Sequence, residues 1–131
     1  MADMQFDLVS PERSLASYVA TSVQIPGTEG DMTVMPDHAP TITTLRPGLM
    51  EVTTSGETHH FVVTGGFAEI GASGISVLAE EAVLAADMTT GFLDEKLQAA
   101  TSAVENASAE NIDAAQKRLS DLEALRGVLG A

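Results

Sequence analysis

The chain has 131 residues, enough for one domain or for a small domain with an appended segment. Hydrophobic residues make up 44% of it, so it can bury a core, and 19 acidic against 6 basic residues give a net charge of −13. This charge argues against nucleic acid and anionic lipid as direct partners, because both require a basic surface, and the lack of cysteine excludes disulfides and thiolate chemistry.

The composition changes near residue 86. Residues 1–86 contain all five prolines, most of the valine, isoleucine and threonine, and only two basic residues, Arg13 and Arg46. Residues 87–131 contain no proline and are rich in alanine, leucine, glutamate, aspartate and glutamine. We therefore expect a β-rich domain over residues 1–86, followed by a helical domain over residues 87–131.

Short runs in the first part alternate apolar and polar residues, which is typical of strands with one buried face. The runs are residues 4–9, 17–25, 60–64, 67–71 and 75–79. In the longest run the alternation puts one set of residues on a single face, namely Val19, Thr21, Val23 and Ile25. Glycine and proline turn signals separate the runs, and this arrangement predicts a mainly β fold, an antiparallel β-sandwich or flattened barrel with an aliphatic core.

The second part has apolar residues at helical spacing in two places. The first stripe consists of Leu93, Leu97, Ala100 and Val104. Thr89 or Thr90 is a candidate N-cap for this helix, and residues 106–108 are a candidate hinge. The second stripe consists of Ile112, Ala115, Leu119, Leu122 and Leu129, interrupted at Arg126. Asp113 and Lys117 are spaced for an ion pair within the second helix, and two such helices with a short loop predict an antiparallel hairpin.

Signatures of catalysis are sparse, since the chain has no phosphate-binding loop, no nucleophile elbow and no cysteine-based metal motif. His59 and His60 are adjacent in a predicted strand, so their rings should point to opposite faces and not share a metal. Asp37 and His38 lie in a proline-flanked loop, where adjacent residues rarely orient each other for acid–base work. Glycines 65 and 66 are more typical of a strand corner than of a phosphate site.

No run of about 18 apolar residues is present, so we expect no membrane span. The first twenty residues carry acidic side chains and lack a basic region before an apolar run, so we expect no secretory signal. These features predict a cytosolic chain whose fold is held together without covalent crosslinks.

One long motif points to a known family. Residues 25–40 read IPGTEGDMTVMPDHAP and continue as TITTLRPG over residues 41–48. Together with LVSPE at residues 8–12, FVVTGGFAEI at residues 61–70 and VLAE at residues 77–80, this run closely resembles the epsilon subunit of bacterial F-type ATP synthases. The matching pieces extend over nearly the whole β-rich part, whereas the helical part agrees only in size and character.

The resemblance implies a β-sandwich that binds the gamma subunit and the polar loops of the c-ring, followed by a two-helix hairpin. It implies a rotor subunit of the central stalk that supports proton-coupled ATP synthesis and has no active site or cofactor of its own. The alpha and beta subunits are further candidate partners, through the hairpin. The expected location is peripheral, on the cytoplasmic side of the bacterial plasma membrane.

The resemblance also assigns roles to individual residues. Glu29, Gly30 and Asp31 match the family's acidic tip and are expected to contact the c-ring, whose loops present basic and amide groups in the family. His38 and Thr43 match positions that face the gamma subunit.

The resemblance to relatives that regulate themselves is weaker. In some bacterial relatives the hairpin binds ATP through an Ile/Leu-Asp-x-x-Arg-Ala signature. The two candidate windows are residues 88–93 and 93–98, and the arginine is replaced by Phe92 in one and by Leu97 in the other. Lys96 cannot reproduce a bidentate guanidinium. We therefore expect no ATP binding and at most weak inhibition of hydrolysis by the helices.

Two other classes of function stay open from the residues alone. One is a small β-sandwich that serves as a ligand-binding or adaptor module with a helical tail. The other is an acid–base enzyme that uses His38 and nearby carboxylates.

Overall fold

The computed structural model describes residues 3–129, which form two compact units divided between Ala86 and Asp87. Within that range the first unit has ten strands: β1 Met4–Val9, β2 Ser14–Ala20, β3 Ser22–Gly27, β4 Gly30–Val34, β5 Thr41–Leu45, β6 Gly48–Thr53, β7 Thr58–Val63, β8 Gly66–Ile70, β9 Gly74–Ala79 and β10 Ala82–Leu84. The second unit contains α1 Thr90–Asn106 and α2 Ile112–Leu129, and a 3₁₀ turn, Ala85–Asp87, precedes α1.

The strands form one hydrogen-bonded sheet in the order β10-β7-β6-β3-β5-β8-β9-β1-β2, with β4 also paired to β3. Neighbours run antiparallel except for β1 and β9, which are parallel and pair Phe6 with Ile75 and Leu8 with Val77. The antiparallel pattern agrees with short strands joined by tight turns.

Aromatic contacts show that this sheet folds over on itself. Phe6 on β1 lies 6.5 Å from Phe61 on β7 between ring centroids, and Tyr18 on β2 stacks on His59 of β7 at 4.3 Å and 10°. These strands are far apart in the sheet order, so their side chains can meet only across two packed layers. The predicted β-sandwich is therefore confirmed.

The space between the layers is filled mainly by aliphatic side chains. Fully buried members include Leu8, Val23, Ile25, Met50, Val52 and Val77. Each such side chain contributes about 1.5–3 kcal/mol to folding through its removal from water. The predicted aliphatic core is confirmed, with Phe6 and Phe61 as its aromatic members.

The prediction of one strand over residues 17–25 is wrong. The run is split into β2 and β3 at Thr21, whose amide and hydroxyl both donate to the carbonyl of Thr53, at 2.8 and 3.1 Å. Ala20 and Val23 are both buried although they are three residues apart, so the alternation slips by one position at this turn. As a result Val19 lies on the outside and is 59% exposed.

The helical unit begins as the sequence predicts. The Thr89 hydroxyl caps α1 by accepting from the amide of Phe92 at 3.3 Å, and residues 107–111 form the loop to α2. Asp94 near the start of α1 pairs with Arg126 near the end of α2 at 3.2 Å, which an antiparallel hairpin requires. Neither helix in the described part of the chain is long and apolar enough to cross a membrane.

Two details of the second helix differ from the prediction. Lys117 pairs with Asp121 at 3.2 Å and not with Asp113, although an acid four residues before the lysine is the more favourable order within a helix. The predicted stripe passed over Leu125, which is 3% exposed and follows the fully buried Leu122 by three residues on the same face.

The corner between β7 and β8 has the character expected of glycines 65 and 66. Gly66 has φ of +137°, and a Cβ added there would overlap the Leu78 carbonyl oxygen on β9. A side chain would therefore be strained by its backbone conformation and would push β8 away from its partner.

We predict that Gly66→Ala lowers the free energy of unfolding by about 3 kcal/mol or more, from backbone strain together with steric overlap. Gly56→Ala is the matched control, because a Cβ there meets nothing within 4 Å and its φ is not in the left-handed region. Urea unfolding followed by circular dichroism measures both. Equal midpoints for the two variants would contradict the close approach of β8 and β9 at this corner.

Candidate functional site

The turn between β3 and β4 brings together the residues assigned to the c-ring by resemblance. Gly27 pairs with Gly30, which leaves Thr28 and Glu29 as a two-residue turn. Gly30 has φ of +138°, a conformation that a residue with a side chain rarely adopts, so glycine is needed to close this turn. We call residues 27–31 the β3–β4 tip.

An arginine outside the hairpin holds the β3–β4 tip. Arg46 follows β5 and donates from Nη2 to Oδ1 of Asp31 at 2.6 Å and from Nη1 to the Gly27 carbonyl at 2.5 Å. Its own amide donates to the Pro26 carbonyl at 2.9 Å, and the Thr28 amide donates to the Thr44 carbonyl at 3.0 Å. The tip is thereby fixed to the end of β5 by one ion pair and two further hydrogen bonds, and a third bond holds Pro26 just before it.

The two acids of the tip have different surroundings. The Asp31 side chain is 52% exposed, but it is engaged by Arg46, and its second oxygen lies 3.5 Å from the Gln24 amide nitrogen. Glu29 is exposed at the apex of the turn. Among the described residues, no hydrogen bond or ion pair engages its carboxylate. The sequence assigned both acids to one contact and gave no sign of the Arg46 pair.

His38 lies in the loop between β4 and β5. Its Nδ1 is 2.7 Å from the Ala39 carbonyl oxygen, so the ring is oriented by the backbone and not by the adjacent Asp37. Asp37 has φ of +66°, and its amide donates to the Ala72 carbonyl at 3.1 Å, which ties this loop to the turn between β8 and β9. The loop is held by backbone hydrogen bonds, and Asp37 and His38 do not form an acid–base pair in it.

Thr43 lies in the middle of β5 with its side chain half-buried on the core side, opposite the buried Ala68. Its neighbour Ile42 points to the other face and is 73% exposed. Sequence reasoning named Thr43 but missed Ile42, although a strand that directs Thr43 and Leu45 inward must direct Ile42 outward.

Ile42 lies on the outer face of the sandwich, directly opposite the exposed Glu69 of β8 and diagonally from Phe67. Thr44, Phe67 and Leu78 are aligned across β5, β8 and β9, and Phe67 and Leu78 are 42% and 37% exposed. We call Ile42, Phe67 and Leu78 the outer apolar patch. Neighbouring exposed apolar side chains on adjacent strands are typical of a protein–protein contact surface.

The adjacent histidines of β7 are separated, as predicted. His59 is stacked on Tyr18, with Nε2 3.4 Å from Glu57, whereas His60 lies on the outside, with Nε2 3.9 Å from Glu51. Within the described residues, no group of three or more histidine or acidic side chains is arranged to hold a metal ion.

The helical unit has four basic residues against eight acidic ones, and its cations face local partners. Lys117 pairs with Asp121, Arg126 pairs with Asp94, and Lys96 lies 5.3 Å from the centroid of the Phe92 ring. Asp94 is the acid of the better-matching ATP window, and a guanidinium already engages it. The positive charge is thus dispersed and does not form a phosphate site.

Residues 3–85 match the family model of the ATP synthase delta/epsilon chain, β-sandwich domain. Proteins named ATP synthase epsilon chain are similar over nearly their full length. The one from Ruegeria sp. (strain TM1040) is 55% identical, over 95% of this chain and 96% of its own. The one from Cereibacter sphaeroides (strain ATCC 17025) is 54% identical, over 97% and 96%.

Solved structures show the same fold at lower identity. A chain of the Euglena gracilis mitochondrial ATP synthase has a TM-score of 0.76 at 23% identity, covering 98% of this chain and 82% of its own. A chain of the Tetrahymena thermophila mitochondrial ATP synthase has a TM-score of 0.69 at 14% identity, covering 98% and 97%. Both likenesses include the β-sandwich and the helices.

We predict that Ile42→Thr changes the free energy of unfolding by less than about 0.5 kcal/mol, because the exposed side chain contributes little to the core. The same substitution at Ile70, which is 3% exposed on neighbouring β8, should cost about 2–4 kcal/mol through lost packing and a buried hydroxyl. Denaturant midpoints of the two variants test this. A loss at Ile42 as large as that at Ile70 would show that Ile42 supports the fold.

Proposed function

Because the chain belongs to the ATP synthase epsilon-chain family, we propose that it is a non-catalytic rotor subunit that joins the gamma subunit to the c-ring. In this role it transmits torque within the central stalk and supports proton-coupled ATP synthesis. It is peripheral to the bacterial plasma membrane, on the cytoplasmic side. Identity above 50% to epsilon chains over nearly the whole length supports the assignment. The two-layer sandwich suits it mechanically, since a close-packed core resists shear.

The outer apolar patch is the observation that carries the gamma contact. Ile42 is 73% exposed on a strand whose other face is packed into the core, so its exposure has no role in folding. Covering such side chains with a partner removes apolar surface from water, at about 25 cal/mol per Å². His38 lies in the loop before β5, and we assign its ordered ring to the edge of this interface as a polar contact. Thr43 is assigned to the gamma-facing side by resemblance, and because its side chain lies on the core face of β5 it would support the contact by holding Ile42 outward.

We assign the c-ring contact to the β3–β4 tip, with Glu29, Gly30 and Asp31 as its members. A two-residue turn with a glycine at its end projects backbone and carboxylates in one direction with little freedom. Carboxylates there can form charge-assisted hydrogen bonds with basic and amide groups of polar loops. The anchoring of the tip to β5 supports a role in transmitting force.

We further propose that the hairpin makes at most a weak regulatory contact with the alpha and beta subunits and does not bind ATP. Its excess of acidic residues and the local pairing of Lys117 and Arg126 support this. An extended triphosphate would meet little positive potential along either helix.

We predict that immobilised gamma subunit captures both the full chain and a chain truncated after Ala86, and that Ile42→Asp weakens capture by about tenfold or more. An aspartate at this position would stand directly opposite Glu69, and a partner that covers it would have to desolvate one like charge beside another. Leu84→Asp is the matched control, because Leu84 is 40% exposed on β10, outside the patch. Equal capture of the two variants would remove the outer apolar patch from the interface, and no capture of the full chain would refute the gamma contact.

We predict no saturable heat when the full chain is titrated with Mg²⁺-ATP to low millimolar concentration. We also predict that removal of residues 87–131 raises the rate of ATP hydrolysis by the complex only slightly. The physical reason is the same lack of a basic surface in both cases. Calorimetry tests the first outcome and a steady-state hydrolysis assay tests the second. A several-fold rise on truncation would show that the hairpin is an effective inhibitor.

A further inference from the structure

The two acids of the β3–β4 tip are not equivalent. We propose that Glu29 supplies the charge that meets a basic group on the c-ring, and that Asp31 and Arg46 form an internal ion pair that holds the tip in shape. Arg46 thereby becomes a positioning residue for the ring contact. This inference rests on the proposed c-ring contact and gives the two acids different roles in it, direct contact for Glu29 and positioning for Asp31.

The geometry of Arg46 carries the first half of the argument. One guanidinium nitrogen reaches Asp31 at 2.6 Å and the other reaches the Gly27 carbonyl at 2.5 Å, so a single side chain joins both strands of the hairpin. The Arg46 side chain is only 27% exposed, which reduces screening of the pair by solvent. The contact therefore acts as a brace across the base of the turn.

The charge balance carries the second half. Arg46 neutralises Asp31 at short range, and an approaching cation would meet the guanidinium as well as the carboxylate. Glu29 is exposed at the apex, two residues before Asp31, and nothing described in the structure neutralises it. The net charge of the tip with its brace is therefore that of Glu29. Approach to a basic group is favoured at Glu29 and roughly balanced at Asp31.

The experiment uses the complete complex in inverted membrane vesicles, with proton pumping expressed per ATP hydrolysed. The variants are Glu29→Gln, Asp31→Asn, Arg46→Met and the double variant Asp31→Asn/Arg46→Met. Glu12→Gln, at the exposed turn between β1 and β2, is the matched acid-to-amide control. We expect Glu29→Gln to lower pumping per ATP by about threefold or more, in the range of a lost interfacial charge contact, and the control to leave it at the wild-type value.

The proposed Asp31–Arg46 brace predicts a particular pattern of proton pumping among the single and double variants. Asp31→Asn and Arg46→Met should both lower pumping per ATP, and the double variant should be no worse than Arg46→Met, which already breaks both the Asp31 pair and the Gly27 bond. If Asp31 itself contacted the ring, Arg46→Met would retain pumping and the double variant would lose it. That result, or a Glu29→Gln variant that behaves like the control, would overturn the proposal.

A second measurement tests the brace on the full chain alone. Asp31→Asn and Arg46→Met should speed hydrogen exchange of the Thr28 amide by about two- to fivefold, the range expected for a partly exposed ion pair, and Glu29→Gln should not. Unchanged exchange in Arg46→Met would refute the brace.

Membrane vesicles that lack this subunit distinguish failure of the proposed c-ring contact from failure of the division between Glu29 and Asp31. If vesicles without the subunit pump as many protons per ATP as the wild type, the proposed c-ring role fails. If they lose pumping but the Glu29→Gln variant pumps like the wild type, only the division between the two acids is refuted.

Discussion

The folding of one continuous sheet onto its own inner face is the constraint on which the β unit depends. Side chains from β1 and β7 meet in one core although these strands are far apart in the sheet order, as the contact between Phe6 and Phe61 shows. Once one face of a strand is fixed in this core, the other face is fixed toward solvent, because side chains alternate. Ile42, Phe67 and Leu78 are exposed for this reason, and the outer apolar patch follows from the same register that builds the core.

The same register determines how the β3–β4 tip is held. β3 pairs with β4 over five positions and touches β5 at Gly27 and Leu45, so the end of β5 delivers Arg46 to the base of the turn. A two-stranded hairpin is only marginally stable by itself, and the Arg46 side chain adds two bonds from outside it. A surface ion pair contributes little to the stability of a whole domain, yet it can decide the shape of a small projecting element.

Features of the fold could be predicted when the residues that form them are close together in the sequence. Runs such as 4–9 and 75–79 alternate cleanly and became β1 and β9, and the Thr89 cap was visible because its acceptor and donor are three residues apart. The turn at Thr21 was missed because its bonds go to Thr53, thirty-two residues away. The predicted runs did not include β4, β5, β6 and β10. These strands are short or contain threonine and glycine, so pairing with neighbouring strands defines them more than an apolar–polar alternation does.

The candidate site shows the same limit. Glu29, Gly30, Asp31, His38 and Thr43 came from resemblance, since no spacing rule singles them out. Two features of the site required the fold. Arg46 is fifteen residues from Asp31, so their pairing cannot be read from helical or strand periodicity. Alternation alone places Ile42 on the outer face once β5 is known to be a strand, but its neighbours on that face are defined only by the register with β8.

The two units differ in how many hydrophobic side chains they bury, and this difference affects their stability. Among the described residues, seventeen hydrophobic side chains form the buried core cluster of the sandwich, whereas the helical unit buries Leu93, Ala100, Leu122 and Leu125. The ion pair that joins α1 to α2 is about half-exposed on both sides, so it adds little. Short helices depend on packing for their stability, and the helical unit should therefore open at a lower free energy than the sandwich. The β unit is therefore the more rigid of the two, and local opening is concentrated in the helices.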